Sequence, residues 1–269
     1  MLRIDDAEGV RTLTLNRPDR LNALTLALTR ELHAALVDCA RDPGVRVVVL
    51  AGAGRGFCAG FDLSGGTETD PLAATWSDQP IWLEPEQVAA RMMEDAQIPV
   101  LLHRMPKPTL ASVRGPAAGS GLVLAAACDL RIASDTAVFK TAFASAGRCG
   151  DPGGSYLLTQ LIGSARAREL YLLDEKVTAA AALAMGLVSK LVPDNQLEAE
   201  TALLATRLAK GPGLAYAGIK RNLNAAETGT LEDTMAIEGP TNARASSSHD
   251  GKEAARAFME KRPPQFCGY

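Results

Sequence analysis

Val45-Arg46-Val47-Val48-Val49-Leu50 runs through Ala51 into Gly52-Ala53-Gly54-Arg55-Gly56-Phe57-Cys58-Ala59-Gly60-Phe61-Asp62-Leu63. The β-branched run reads as a strand buried on both faces. The small residues after it let a backbone approach a ligand closely and aim N–H groups at it. A dinucleotide-binding turn of the form GxGxxG would need glycine at 57, where Phe57 stands, so that reading fails on spacing. By itself the segment reads equally well as a plain structural turn.

Working outward, Arg11 to Leu15 reads as a strand stopped by Asn16-Arg17-Pro18-Asp19. Thr25 to Ala40 carries Leu28, Leu32 and Leu36 at helical spacing, and Asp42-Pro43-Gly44 ends that helix. Residues 64–86 are loop-like and hold Trp76 and Trp82. A helix is expected from about Glu86 to Met105, then a strand from Pro108 to Val113. Gly115-Pro116-Ala117-Ala118-Gly119-Ser120-Gly121 opens a helix through Ala127. Strands follow near Asp129 to Ala133 and Val138 to Phe139, and helices resume beyond Gly153. After Val192-Pro193 the pattern is helical over Leu197 to Ala209, Gly213 to Ala225, Leu231 to Ala245 and Lys252 to Lys261. The expectation is an α/β core over residues 1–193 and a helical region over 194–269.

The chain has 269 residues, 47% hydrophobic and 22% charged, the balance of a globular protein with a large core. A net charge of −3 without a Lys/Arg stripe argues against nucleic acid or an anionic membrane surface as partner. Met1 to Val10 is acidic without an apolar core, unlike a signal peptide, and the Ala/Leu-rich stretch from Gly115 to Ile132 is too polar for a membrane span. Five cysteines without CxxC pairing read as reduced thiols of a cytoplasmic protein, and three histidines without ligand spacing argue against a metal site.

Two further segments carry chemistry. Gly115 to Gly121 ends at a helix N-terminus, whose unpaired N–H groups and positive dipole end suit a developing oxyanion, although a Gly/Ala turn there also serves close packing. In Gly150-Asp151-Pro152-Gly153-Gly154-Ser155, Asp151 is either a turn or cap residue or a carboxylate held over a substrate as general base.

Taken in order, these segments resemble the crotonase (enoyl-CoA hydratase/isomerase) superfamily over essentially the whole chain. The resemblance rests on Asn16-Arg17-Pro18 with Leu21-Asn22-Ala23-Leu24, Arg55 to Gly60 with Asp62-Leu63, and Gly115 to Gly121 before Ala127-Cys128-Asp129. Ala184-Met185-Gly186-Leu187-Val188 and Phe258-Met259-Glu260-Lys261-Arg262 extend it. It implies an α/β spiral of ββα units whose C-terminal helices build trimers, often stacked as hexamers. It implies that an acyl-CoA thioester is the substrate, with CoA as part of it and no separate cofactor. Phe61 and Ser120 take the positions whose backbone N–H groups form the family's oxyanion hole. Arg20, Leu21, Ala23, Ala59, Phe61, Asp62 and Leu63 take positions that receive CoA, and Lys261 that of a base reaching a neighbouring subunit's CoA phosphates. Chemically, proton removal beside a thioester gives an enolate whose charge sits on oxygen, and losing one of two preorganised donors raises the barrier by about 3–4 kcal/mol.

The family's hydratases carry two glutamates at positions that here are Val123 and Phe143, so hydration loses its usual carboxylates. Asp151 falls where the family's double-bond isomerases hold a catalytic carboxylate, and one carboxylate suffices to move a proton between carbons. The aryl-CoA dehalogenase branch shares this Asp but needs Trp and His where Phe143 and Ala96 stand, and the dihydroxynaphthoyl-CoA synthase branch has no second supporting motif. The expected activity is therefore an enoyl-CoA isomerase. Its rivals are an enoyl-CoA hydratase and a noncatalytic acyl-CoA-binding protein. Arg148 reads as a solvated loop residue or a pocket wall, Cys149 as a small filler, and His103 as a structural histidine. Trp76 and Trp82 read as acyl-pocket walls or as a surface loop against a neighbour. A helix after Asp151 should lower its proton affinity and burial should raise it, burial mattering more once substrate excludes water.

Overall fold

Val47 and Val49 face one core while Val48 and Leu50 face another, the alternation of a strand with both faces covered. In the computed structural model, which describes residues 1–62 and 85–268, this strand is β3 (Val47–Gly52). Before it stand β1 (Leu2–Ala7), β2 (Val10–Leu15) and α1 (Leu26–Arg41), the helix capped by the Thr25 hydroxyl. Strand β1 was not legible in the sequence, because the alternation of LRIDDA stops at Asp6 after two apolar residues and its side chains are mostly exposed. It forms because Glu8 (φ 48°) and Gly9 (φ 81°) make a left-handed two-residue turn that folds it antiparallel onto β2.

The expected single helix from Glu86 to Met105 is two helices, α2 (Pro85–Asp95) and α3 (Gln97–Arg104), parted at Ala96. Pro99 accounts for the break: it has no N–H to give the Asp95 carbonyl, and its ring crowds that carbonyl. The loop expected over 64–86, with Trp76 and Trp82, lies outside the described residues except at its end, where α2 has begun.

Beyond α3 the chain repeats one pattern. Strand β4 (Thr109–Val113) joins the large sheet, β5 (Pro116–Ala118) joins a small one, and α4 (Ser120–Ala127) follows. Strands β6 (Leu130–Ser134) and β7 (Val138–Lys140) and helix α5 (Gly154–Leu173) repeat it. Strand β3 starts an earlier turn of the same kind, because Cys58 bridges Ala117 of β5 in parallel before α2. This is the spiral of ββα units implied by the resemblance. It is completed by β8 (Val177–Thr178), α6 (Ala179–Ala184) and β9 (Lys190–Val192). The large sheet runs β1-β2-β3-β4-β6-β9, parallel except at β1–β2, and the small one β5-β7-β8.

Helix α4 is buried from Gly121 to Ala127, as an all-apolar sequence requires. It packs between α3 and α5 on one side of the large sheet. Helix α7 (Leu197–Ala209) covers the other side, where Leu197, Ala205 and Ala209 meet Val47, Val49 and Ile132. Fully burying each such valine or isoleucine is worth at most about 1.5–3 kcal/mol. Helices α8 (Gly213–Ala226), α9 (Leu231–Ser247) and α10 (His249–Glu260) follow.

Candidate active site

The site is assembled where three loops meet at the N-terminus of α4. The first is the turn after β2. Leu21 (φ 48°) and Asn22 (φ 57°) are left-handed there, which asparagine tolerates better than most residues. Asn22 is fully buried, accepts from the Arg17 N–H at 2.8 Å and donates to the carbonyls of Ala53 (2.9 Å) and Gly56 (2.8 Å). It thereby ties this turn to the glycine-rich segment after β3. Ala59 N–H donates to the Leu21 carbonyl at 2.9 Å, and Arg17 forms an ion pair with Asp62 at 2.9 Å.

Phe61 then bridges Leu24 in parallel. Leu24 N–H bonds the Gly60 carbonyl at 2.8 Å and Asp62 N–H bonds the Leu24 carbonyl at 2.9 Å, so the Phe61 N–H faces away from Leu24. Ser120 is the first residue of α4, and its N–H is one of the helix's orphan donors. Among the described residues neither the Phe61 nor the Ser120 N–H donates a hydrogen bond. Their neighbours bring them together. Gly60 (φ 96°) has no room for a side chain: a Cβ there would stand 2.9 Å from the Ala118 carbonyl oxygen and 3.6 Å from the Ser120 nitrogen. Phe61 and Ser120 line one cavity.

Asp151 lines that cavity as well. Its Oδ2 accepts a hydrogen bond from the Ser120 hydroxyl. Burial pushes the Asp151 carboxyl above the usual carboxylate range, against the Ser120 hydrogen bond and the Arg148 charge, which both lower it. Helix α5 begins at Gly154, and Gly154 N–H bonds the Asp151 carbonyl rather than its side chain. Arg148 lines the cavity, which favours its reading as a pocket wall over the solvated one. Cys149 is exposed and is no filler, because the loop around Gly147 (φ 65°) and Gly150 (φ 140°) turns it outward.

Val123 lines the cavity, and buried Phe143 stacks on Tyr171 with ring centroids 5.8 Å apart. A second carboxylate, Asp95 at the end of α2, also lines the cavity. Cys58 is fully buried, and burial pushes its thiol up to about 12, which leaves it protonated and inert.

Of the remaining expected contacts, Arg20 is exposed, Leu21 and Ala59 are half-buried, and Ala23 is buried in the same turn. The buried Asp62 carboxylate is engaged by Arg17. Leu63 lies outside the described residues. Lys261 caps α10, is exposed and does not line the cavity. His103 bonds Glu227 at 3.0 Å, a structural role. Far along the chain, His249, Asp250 and Cys267 bring three ligand-type atoms within 4.8 Å of one another, a grouping no sequence motif signalled. The Asp250 carboxylate there accepts the Cys267 and Gly268 N–H groups, each at 2.8 Å.

Sequence reading missed the structural work of Asn22 and Arg17, the Ser120 hydroxyl as partner of Asp151, and Asp95. Only Asn22 carried a signal, as an asparagine in a tight turn. Asp95 reads as one more acidic residue on a helix.

Residues 5–268 match the family model described as enoyl-CoA hydratase/isomerase. A 1,2-epoxyphenylacetyl-CoA isomerase of Escherichia coli K12 is 38% identical over 97% of this chain and 96% of its own. A Rhodobacter capsulatus protein named "Probable enoyl-CoA hydratase" is 37% identical over 99% of this chain and 98% of its own. Among solved structures, enoyl-CoA hydratase from Bacillus anthracis superposes with a TM-score of 0.89 at 29% identity, over 100% of this chain and 99% of that one. An enoyl-CoA hydratase from Polaromonas sp. JS666 gives 0.88 at 32% identity, over 98% and 99%. With its spiral of ββα units and a match along nearly its whole length, the chain belongs to the enoyl-CoA hydratase/isomerase family, the crotonases.

Proposed function

We propose that the protein is an enoyl-CoA double-bond isomerase in which Asp151 moves the proton and the Phe61 and Ser120 N–H groups hold the thioester oxygen. The observation that carries this is Asp151 in one cavity with two N–H groups that donate to nothing among the described residues, its carboxyl raised by burial. The carboxylate takes a proton from the carbon beside the thioester, the electron pair passes to the carbonyl oxygen, and the two N–H groups stabilise that charge. The same carboxyl then returns the proton two carbons further along the dienolate, so the double bond shifts with no other reactant. A raised proton affinity suits a group that must both take and give. The thioester is bound with its CoA along the turn from Arg20 to Ala23 and the segment from Ala59 to Asp62, with Leu63 following in sequence.

A hydratase is the second reading, and Asp95 favours it as another carboxylate on the cavity wall. Asp151→Asn separates the readings. An isomerase loses double-bond migration by roughly 10²–10⁴-fold, together with exchange of substrate carbon-bound protons into deuterated solvent, while thioester affinity stays near wild type. Full isomerase activity in that variant removes Asp151 from the reaction. Hydration products that vanish in Asp95→Asn favour the hydratase. A protein that binds the thioester and turns over none of a panel of enoyl-CoA esters is the noncatalytic binder.

We also propose that the protein assembles as a trimer or a pair of trimers, with Lys261 reaching a neighbour's CoA phosphates. Leu231, Met235, Phe258 and Met259 on α9 and α10 are exposed, the last two at 83% and 79%, and assembly would bury them. Light scattering at micromolar concentration tests this, and a monomer overturns it.

A further inference from the structure

We propose that the Ser120 side chain is a positioning residue for Asp151, so that one residue supplies both an N–H for the thioester oxygen and the O–H that aims the base. The inference rests on the reading of Asp151 as acid and base, and it adds a role for the hydroxyl that the backbone N–H does not require.

The two partners differ in rigidity. Ser120 opens the buried helix α4 and is preceded by Gly119, whose N–H bonds the Lys140 carbonyl at 3.1 Å and whose carbonyl accepts from Val123 at 3.1 Å. Its direction is therefore set by the core. Asp151 sits on a loop in which Gly147, Gly150 and Gly153 all have positive φ, at 65°, 140° and 90°. Such a loop has wide backbone freedom and does not by itself fix where a carboxylate points. The hydrogen bond from Ser120 Oγ to Asp151 Oδ2 joins the loop to the helix terminus. Among the described residues Oδ1 accepts no hydrogen bond, which leaves it as the oxygen that exchanges the proton. The Ser120 hydroxyl can donate to Oδ2 whether Oδ1 is bare or protonated, so the carboxyl keeps its aim through both halves of the reaction. It bonds the ionised form more strongly, which restrains the effect of burial on the base.

Among the described residues, the other ionisable groups that line the cavity or interact electrostatically with Asp151 are Arg148 on its own loop, Asp95 at the end of α2, Cys58, and Tyr171 of α5. None of them is altered by a change at the Ser120 side chain, so a shift on removing the hydroxyl reports the hydroxyl.

The test is the pH profile of purified Ser120→Ala, Ser120→Gly and Ser120→Thr with an enoyl-CoA ester, with circular dichroism confirming the fold. Alanine and glycine keep the backbone N–H and lose the hydroxyl. Both should move the acidic limb of kcat/KM upward by about one pH unit and lower kcat by about 10- to 100-fold, with KM changed less than about threefold. Threonine keeps a hydroxyl and should bring the limb back towards wild type. An unmoved limb and unchanged kcat in the alanine and glycine variants overturn the hydroxyl's role while leaving Asp151 as base. A fall in kcat with the limb unmoved and no recovery in threonine also overturns it, since that marks damage to the N–H donor. Asp151→Asn run in parallel keeps the two failures apart: full activity in that variant overturns the base itself.

Discussion

The Arg17 guanidinium stands 2.9 Å from the Asp62 carboxylate, which is only 8% exposed, and this pair joins the turn after β2 to the segment that carries Phe61. Asp62 takes a position that resembles a CoA contact in sequence, yet its carboxylate is paired with Arg17. Arg17 also donates to the Ala23 carbonyl at 2.5 Å, so its loss removes one contact within the turn and one that joins the turn to the Phe61 segment. Arg17→Met should lower stability by about 2–3 kcal/mol, the usual worth of hydrogen bonds to a charged group. Urea unfolding of Arg17→Met against wild type measures this, and an unchanged midpoint contradicts it.

Gly60 is the residue on which the spacing of the two N–H donors depends. Its φ of 96° is unfavourable for a side chain, and a Cβ would press on the Ala118 carbonyl just before Ser120. Gly60→Ala should cost about 1–2 kcal/mol of stability through the backbone conformation alone. By forcing the Phe61 and Ser120 segments apart it should lower kcat by up to about 10²-fold, the scale of a misplaced donor. Steady-state kinetics beside thermal melting separate the two effects, and unchanged kcat would show that the donors are not set by this contact.

Asp151 makes a two-sided pH prediction. Its carboxyl lies above the ordinary 3.8, so the active carboxylate is lost as pH falls through this raised value, and kcat/KM should have an acidic limb above pH 3.8. Stability goes the other way. The folded state holds the Asp151 proton more tightly than the unfolded chain, so this group favours folding at low pH and that contribution declines as pH rises through the folded value. Denaturant midpoints of wild type and Asp151→Asn compared from pH 4 to 7 should therefore diverge as pH rises, with the variant gaining relative stability. Parallel curves would exclude the raised carboxyl.

Asp174 behaves oppositely. Burial pushes its carboxyl up, but hydrogen bonds from Ser145, Thr141 and the Ala142 N–H outweigh it and hold the group down at about 2. Its stabilisation is present above the unfolded value of 3.8 and is lost as pH falls towards 2. The shift corresponds to about 2 kcal/mol. Asp174→Asn keeps the size and suits the left-handed backbone (φ 53°), so it should destabilise the protein at pH 6 by that amount and converge with wild type near pH 2. A constant difference across that range would assign the effect to packing instead.

The strands and helices of the core were legible in the sequence because their signals are local and strong. The valine run of β3, the leucine spacing and Asp-Pro-Gly stop of α1 and the apolar spacing of α7, predicted over Leu197 to Ala209 and found there, each lie within a few turns of chain. The family pattern likewise placed Phe61, Ser120 and Asp151 as candidates. Only the tertiary structure decided what these three share. Among the described residues the Phe61 N–H is left undonated, because Leu24, 37 positions earlier, bonds the residues on either side of it. The Ser120 hydroxyl meets a carboxylate 31 residues away. The split of the helix at Ala96 and the hairpin of β1 also escaped the periodicity, since one depends on a single missing N–H and the other on a two-residue turn. Hydrophobic spacing specifies which face of an element is buried. Which polar atoms are left unpaired, and how far burial shifts a carboxyl, depends on every segment that closes over it, and only the assembled chain brings those together.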